Sequence, residues 1–229
     1  KVGLPHFANV YPEKLSSGQK QLVSLARSLI TNPRLLLMDE PFSNLDQRLK
    51  NKIRDITLHL LQKTSTTALI VTHDPEEAIF MGDYIAVMNQ GRIIQFSNPY
   101  DIYNKPETPF VARFFGETVS LRSKIKNGKV PTIFGKIEAP KFRENSSVEI
   151  IFRSESFDIK RNKNKKNNLV KGKIMAIKEI GQNTMLHLDV RNKNFSKHIH
   201  IKISGKFFPP KNKICYISIN KKHTFVFNV

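Results

Sequence analysis

A single cysteine, Cys215, among 229 residues excludes an internal disulfide framework and a thiolate metal cluster, and leaves that side chain as core filler. No apolar run approaches the roughly 18 residues of a membrane-crossing helix, and the start has no signal-peptide pattern. A cytosolic compartment fits both absences. Acids are scarce as well: 38 lysines and arginines face 19 aspartates and glutamates. The shortage is local, because residues 1–116 carry 13 basic against 11 acidic side chains while residues 117–229 carry 25 against 8. A basic half invites a nucleic-acid or anionic-membrane reading. Its lysines, however, are scattered through strands and turns beside abundant asparagine, with no aromatic-interleaved recognition motif. A nucleic-acid partner is therefore not expected.

What is present is concentrated near the start. The run Leu35-Leu36-Leu37-Met38 ends in Asp39 and Glu40 and is followed by Pro41-Phe42-Ser43-Asn44-Leu45-Asp46. Four apolar residues without polar alternation read as a short strand buried on both faces, of the kind found in parallel sheets whose ligands sit at the carboxyl edge. Thr67-Ala68-Leu69-Ile70-Val71-Thr72-His73 repeats the design and should bring one histidine to the same edge. Taken singly, an acid pair after a strand is usually solvated loop, and a lone histidine at a strand end is usually structural.

Between these strands the sequence alternates with helices. Ser16 and Gln19 have capping-box spacing, and Leu22, Leu25, Ala26 and Leu29 follow at helical intervals up to Asn32-Pro33. Leu49, Ile53, Ile56 and Leu60 mark a second amphipathic helix. Asp74-Pro75-Glu76-Glu77 opens a third, and its acids are read as capping alone. Arg27 reads as an ordinary helix residue. Strand and helix in alternation argue for a parallel sheet with covering helices. Residues 85–88 and 93–96 form a hairpin around Gly91, and short helices near Pro99–Tyr103 and Pro109–Phe115 close this part. Beyond Gly116 the runs turn short and alternating, as in Leu186-His187-Leu188-Asp189-Val190 and Ile199-His200-Ile201-Lys202-Ile203, which indicates a small antiparallel barrel or sandwich. Arg161 to Asn168 should be an exposed loop.

At these residues the chain resembles the nucleotide-binding subunit of ATP-binding-cassette (ABC) transporters. Leu15-Ser16-Ser17-Gly18-Gln19 is similar to the family signature, Leu35 to Glu40 to the Walker B strand, Ser43 to Asp46 to the D-loop, and His73 to the switch histidine. Each alone is weak; the four together, in order and at family spacing, are specific. No G-x-x-x-x-G-K-[ST] motif occurs, nor the glutamine loop expected between it and the signature. With a start at Lys1-Val2-Gly3-Leu4-Pro5-His6-Phe7 that looks like the tail of a helix, the chain reads as the C-terminal portion of a longer protein. The tail resembles the C-terminal regulatory (TOBE-like) domain of importer ATPases, most like those of ferric-iron type, through Phe114-Phe115-Gly116-Glu117, Val148 to Arg153, Gly205 to Pro209 and Thr224 to Phe227. Arg153-Ser154-Glu155 departs there from the usual Arg-Pro-Glu.

The resemblance implies an α/β fold, with a partial ABC-type P-loop ATPase domain over residues 1–116 and a small all-β, oligonucleotide-binding-type barrel over residues 117–229. It implies ATP and Mg2+ as cofactors, with Asp39 on the metal, Glu40 as general base and His73 on the γ-phosphate. Ser16, Ser17, Gly18 and Gln19 would bind ATP held by a second ATPase subunit in a head-to-tail dimer, and Asp46 would act across that interface. The other partners implied are transmembrane permease subunits and, indirectly, a periplasmic solute-binding protein, which sets the chain on the cytoplasmic face of a bacterial inner membrane. Ser17 stands where the signature has glycine, so a backbone needing positive φ there would be strained. Without a phosphate loop the chain alone is expected to be inactive. The competing reading is a fragment acting only as an interaction or regulatory module, and a third, less favoured, takes the basic barrel as a nucleic-acid binder.

Overall fold

The computed structural model describes residue 7 and residues 9–162, 169–192, 196–210 and 213–229. The readings of Lys1–His6 as a helix tail and of 163–168 as loop lie outside the described residues; Arg161 and Asn162 are exposed bends. Contacts divide the chain into two compact units, Lys1–Asp83 and Tyr84–Val229. No helix among the described residues is long and apolar enough to cross a membrane.

In the first unit, α1 (Ser17–Leu29), β1 (Leu35–Asp39), α2 (Gln47–Thr64), β2 (Thr67–Val71) and α3 (Pro75–Met81) follow in order. The strands pair in parallel from Leu35 opposite Thr67 to Asp39 opposite Val71, with α2 as the crossover between them. One face of this pair carries the core: Leu36 packs with Leu25 and Leu29 of α1 and Leu60 and Leu61 of α2, and Met38 and Ala68 join them. A second cluster of Leu22, Phe42 and Ile53 fixes the turn after β1 against both helices.

The expectation that β1 is buried on both faces is overturned. Leu35 and Leu37 are 53% and 66% exposed, and Leu69 and Val71 on β2 are 59% and 55% exposed. The pleat sends alternate residues to opposite sides, and among the described residues both helices pack on one side only. The other side is a bare apolar face.

The second unit opens with the hairpin β3 (Ile85–Asn89) and β4 (Arg92–Ser97), turned by Gln90 and Gly91, both at positive φ. Two one-and-a-half-turn helices follow, α4 (Pro99–Asn104) and α5 (Pro109–Phe114), each with proline in its first turn and a side-chain cap, from Asn98 and Thr108. The rest is antiparallel. Strands β5 (Thr118–Lys124), β8 (Ser147–Arg153) and β14 (Thr224–Asn228) make a three-stranded sheet in the order β14-β8-β5. Strands β9 (Phe157–Lys160), β10 (Val170–Ile180), β11 (Asn183–Arg191), β12 (Ser196–Ser204) and β13 (Ile214–Ile219) make a five-stranded one in the order β12-β11-β10-β13-β9, and β6 (Lys129–Thr132) pairs with β7 (Gly135–Glu138).

One core joins the sheets of this unit. Val119, Ile150 and Phe152 meet Ile174, Leu186, Leu188, Ile199, Ile201 and Ile217, while Phe134, Phe152 and Phe157 contact one another at ring separations of 5.3–5.9 Å. Cys215 is fully buried in it. The chain is thus mixed α/β, a helix-covered parallel strand pair followed by an antiparallel β-rich region.

Candidate active site

The turn after β1 begins with a backbone anomaly. Glu40 has φ of 43°, a conformation non-glycine residues seldom take, and it is held by its N–H donating to the Val71 carbonyl at 2.8 Å. The Glu40 carbonyl in turn accepts from the Ser43 hydroxyl at 3.0 Å. With its backbone so fixed, the Glu40 side chain reaches across to the neighbouring strand's end, where Oε1 lies 2.9 Å from His73 Nδ1. Both side chains are solvent-accessible, so a ligand can reach the pair. Asp39, one residue earlier, ends β1 opposite Val71, and among the described residues its exposed carboxylate makes no hydrogen bond or ion pair. A free, exposed carboxylate is an oxygen donor of the kind that hard cations take.

His73 is positioned by a network that the sequence reading missed. The Thr72 hydroxyl donates to Glu77 at 2.5 Å and accepts from the Asp74 N–H at 3.0 Å. Lys50 of α2 sits between Asp74 and Glu77, its ammonium 2.5 Å from each. Asp74 and Glu77 are therefore not capping residues alone: Asp74 does cap α3, accepting from the N–H groups of Glu76 and Glu77, and both acids also anchor Lys50. Burial pulls the Lys50 ammonium toward deprotonation, but its hydrogen bonds to Asp74 and Glu77 outweigh this and raise its pKa. Burial likewise works against the charged form of Asp74, and the bonds from Lys50 and the α3 N–H groups overcome it and lower its pKa. Only the i, i+3 spacing of Asp74 and Glu77 hinted at a shared partner.

The signature-like residues gather elsewhere in the same unit. Ser16 caps α1 in a complete capping box: its hydroxyl accepts from the Gln19 N–H at 3.3 Å, and its own N–H donates to Gln19 Oε1 at 2.8 Å. Ser17 is the first helical residue and is not at positive φ, so serine incurs no backbone strain there. Gly18 is buried for a packing reason, since a Cβ would come within 2.7 Å of Leu49 Cδ2 on α2. Asp46 caps that helix by accepting from the Leu49 N–H at 3.0 Å. Two helix N-termini, capped by Ser16 and Asp46, thus stand together through the Gly18–Leu49 contact. Glu40 and His73 meet through a hydrogen bond, with Asp39 preceding Glu40 at the end of β1, while Ser16 to Gln19 and Asp46 gather at the starts of α1 and α2; no hydrogen bond or ion pair among the described residues links the two sets.

The pattern describing the family "ABC transporter" matches residues 1–43. Among curated proteins, the Fe(3+) ions import ATP-binding protein FbpC 2 of Pectobacterium atrosepticum is 37% identical over 159 residues, 69% of this chain and 46% of the relative. The sulfate/thiosulfate import ATP-binding protein CysA 2 of Chromobacterium violaceum is 44% identical over 134 residues, 58% of this chain and 37% of the relative. The corresponding CysA of Bacillus cereus is 38% identical over 148 residues, 65% and 42% of the two chains. The family resemblance is thereby established: it is to the ATP-binding subunits of importer-type ABC transporters. The chain spans less than half the length of these relatives.

Proposed function

We propose that this chain forms the rear part of an ABC-importer ATPase subunit, in which the group at the ends of β1 and β2 handles the γ-phosphate of ATP. The Glu40–His73 hydrogen bond at the carboxyl edge of the parallel pair carries this reading. Bound Mg2+ would neutralise phosphate charge and fix the nucleotide's geometry. Asp39 would offer an oxygen ligand to that ion. Glu40 would accept the proton of the attacking water, and His73 would hold the Glu40 carboxylate in place from Nδ1 while its remaining ring nitrogen faces the phosphate. The capped starts of α1 and α2 would meet a nucleotide held by a second subunit, since the N–H groups of Ser17 and Gly18 are left over by the capping box and a helix N-terminus attracts phosphate. Residues 1–116 serve as the ATPase part in this reading and residues 117–229 as the regulatory barrel.

The membrane partner would be a permease fed by a solute-binding protein, with this subunit on the cytoplasmic side. Ferric iron is the solute favoured by the tail resemblance and by the name of one relative; the sulfate importers among the relatives keep sulfate as the second candidate. The test compares steady-state ATP hydrolysis by this chain with that of a protein extended upstream through a G-x-x-x-x-G-K-[ST] segment. Residues 1–229 alone should show no turnover, and the extended protein should lose about 10² to 10⁴ in kcat on Glu40→Gln. Turnover by the short chain, or a wild-type rate in the extended Glu40→Gln variant, would refute these assignments.

A further inference from the structure

The outer face of the five-stranded sheet gathers three of the chain's seven histidines. The cause is strand alternation. Leu186, Leu188 and Val190 of β11 and Ile199 and Ile201 of β12 all point into the core with at most 2% exposure. Their alternates His187, His198 and His200 must then share the opposite face. Register brings them together, with His187 directly opposite His200 and His198 opposite Asp189. The His187 and His200 rings stack with centroids 4.1 Å apart, and His198 stands edge-on to both at 6.2 and 5.2 Å.

One nitrogen from each ring lies within 4.8 Å of the other two. Imidazole nitrogens at about 2.0–2.1 Å around a tetrahedral ion are roughly 3.4 Å apart, a gap that side-chain rotation of rings at the surface can close. None of the three rings takes part in a hydrogen bond or ion pair among the described residues. Several of the cations nearby are occupied, Lys178, whose charge acts on His187, not among them. Arg191 pairs with Asp189, Lys202 with Glu117, and the Lys197 ammonium donates to the Ser120 carbonyl. Partial burial, followed by the charges of His200, Lys178 and His198, lowers the pKa of His187 and favours the neutral form that ligates metal.

We propose that His187, His198 and His200 bind one divalent transition-metal ion of the zinc class on the outer face of this sheet. Three neutral nitrogen donors suit Zn2+, Ni2+ or Cu2+ and are poor ligands for Mg2+ or Ca2+, which take oxygen. Three protein ligands leave a further coordination position for water or an external ligand. Metal held here ties β11 to β12 across their pairing. The site is independent of the ATPase assignment, since it uses none of those residues and lies in the other unit.

The test uses the full chain purified without a polyhistidine tag. Co2+ titrated into it should develop the visible absorption of a low-symmetry cobalt site at one equivalent, and Zn2+ should displace it. His187→Ala and His200→Ala should each weaken Zn2+ binding at least tenfold by calorimetry, whereas His59→Ala, on α2, should leave it unchanged. Circular dichroism of each variant establishes that it is folded. Absence of stoichiometric Co2+ or Zn2+ binding, or binding undiminished in the folded His187→Ala/His200→Ala double variant, would overturn the proposal.

Discussion

Replacing Arg153 tests whether one buried guanidinium holds the short helices of the second unit to its sheet. Arg153 ends β8, is fully buried, and donates from Nη1 to the Ala112 carbonyl at 3.1 Å and from Nη2 to the Tyr103 carbonyl at 2.8 Å. Its guanidinium lies over the Tyr103 ring, 3.9 Å from the centroid. Approach is so close at Gly116 that a Cβ there would fall 2.2 Å from Nη1. The Tyr103 hydroxyl donates to Glu155 at 2.5 Å, and burial with that bond pushes the phenol up to about 12. Arg153→Met keeps much of the volume but strands two carbonyls, each worth about 1–3 kcal/mol when left unsatisfied, and forfeits a cation–π contact of about 1–2 kcal/mol. Relief of the guanidinium's desolvation offsets part of this, so the net loss should be about 3–4 kcal/mol. Arg153→Lys should also cost about 2 kcal/mol, because a single ammonium cannot serve both carbonyls and cover the ring. Urea unfolding followed by circular dichroism gives the totals, and hydrogen exchange at the α4 and α5 amides reports the local effect. Both variants falling within about 0.5 kcal/mol of wild type, the range of an ordinary surface change, would refute the reasoning.

Gly18→Ala should destabilise the first unit by about 1–3 kcal/mol by forcing a Cβ against Leu49, and the added change Leu49→Ala should relieve that clash; a double-mutant thermal cycle without coupling would remove the packing explanation for this glycine. Because the Asp74 pKa is depressed on folding, its contribution is complete above the ordinary carboxylate value of about 3.9 and is lost as pH falls through the folded value. Asp74→Asn should therefore flatten the acid limb of a stability–pH curve recorded by urea titration; an unchanged limb would show that the pair with Lys50 contributes nothing there. The bare face of β1 and β2 should make the isolated chain associate, and Leu37→Lys with Leu69→Lys should shift its sedimentation toward monomer at unchanged helix content.

The sequence made the elements of the first unit legible because their signals are local. Ser16 and Gln19 cap a helix wherever that helix sits, and Asp74-Pro75 starts one, so α1 and α3 needed no tertiary information. Burial is a different kind of quantity. Leu35 to Met38 are all apolar, yet only Leu36 and Met38 face helices, because whether the opposite side is covered depends on what packs there and not on the strand itself. The Glu40–His73 contact could be anticipated, since two parallel strands in register bring consecutive carboxyl ends together. Lys50 could not: on the sequence it is one of many lysines on an amphipathic helix, and only the packing of α2 under the start of α3 gives it two carboxylates.

The three histidines lie between these cases. Alternation in Leu186-His187-Leu188 and Ile199-His200-Ile201 sends each ring outward whatever the fold. It does not say that the two strands are neighbours, or that His187 meets His200, since a one-residue slip of β12 against β11 would carry His198 and His200 to the face opposite His187. Burial of Leu186, Leu188, Ile199 and Ile201 on the other face forbids that slip. The core of this sheet therefore fixes the geometry of the histidine group on its surface. A core substitution such as Leu188→Ala, at about 2–5 kcal/mol of stability, should weaken Zn2+ binding without touching a ligand if it loosens the β11–β12 register. Zn2+ affinity unchanged in a folded Leu188→Ala variant would mean that the three rings hold their arrangement independently of the core beneath them.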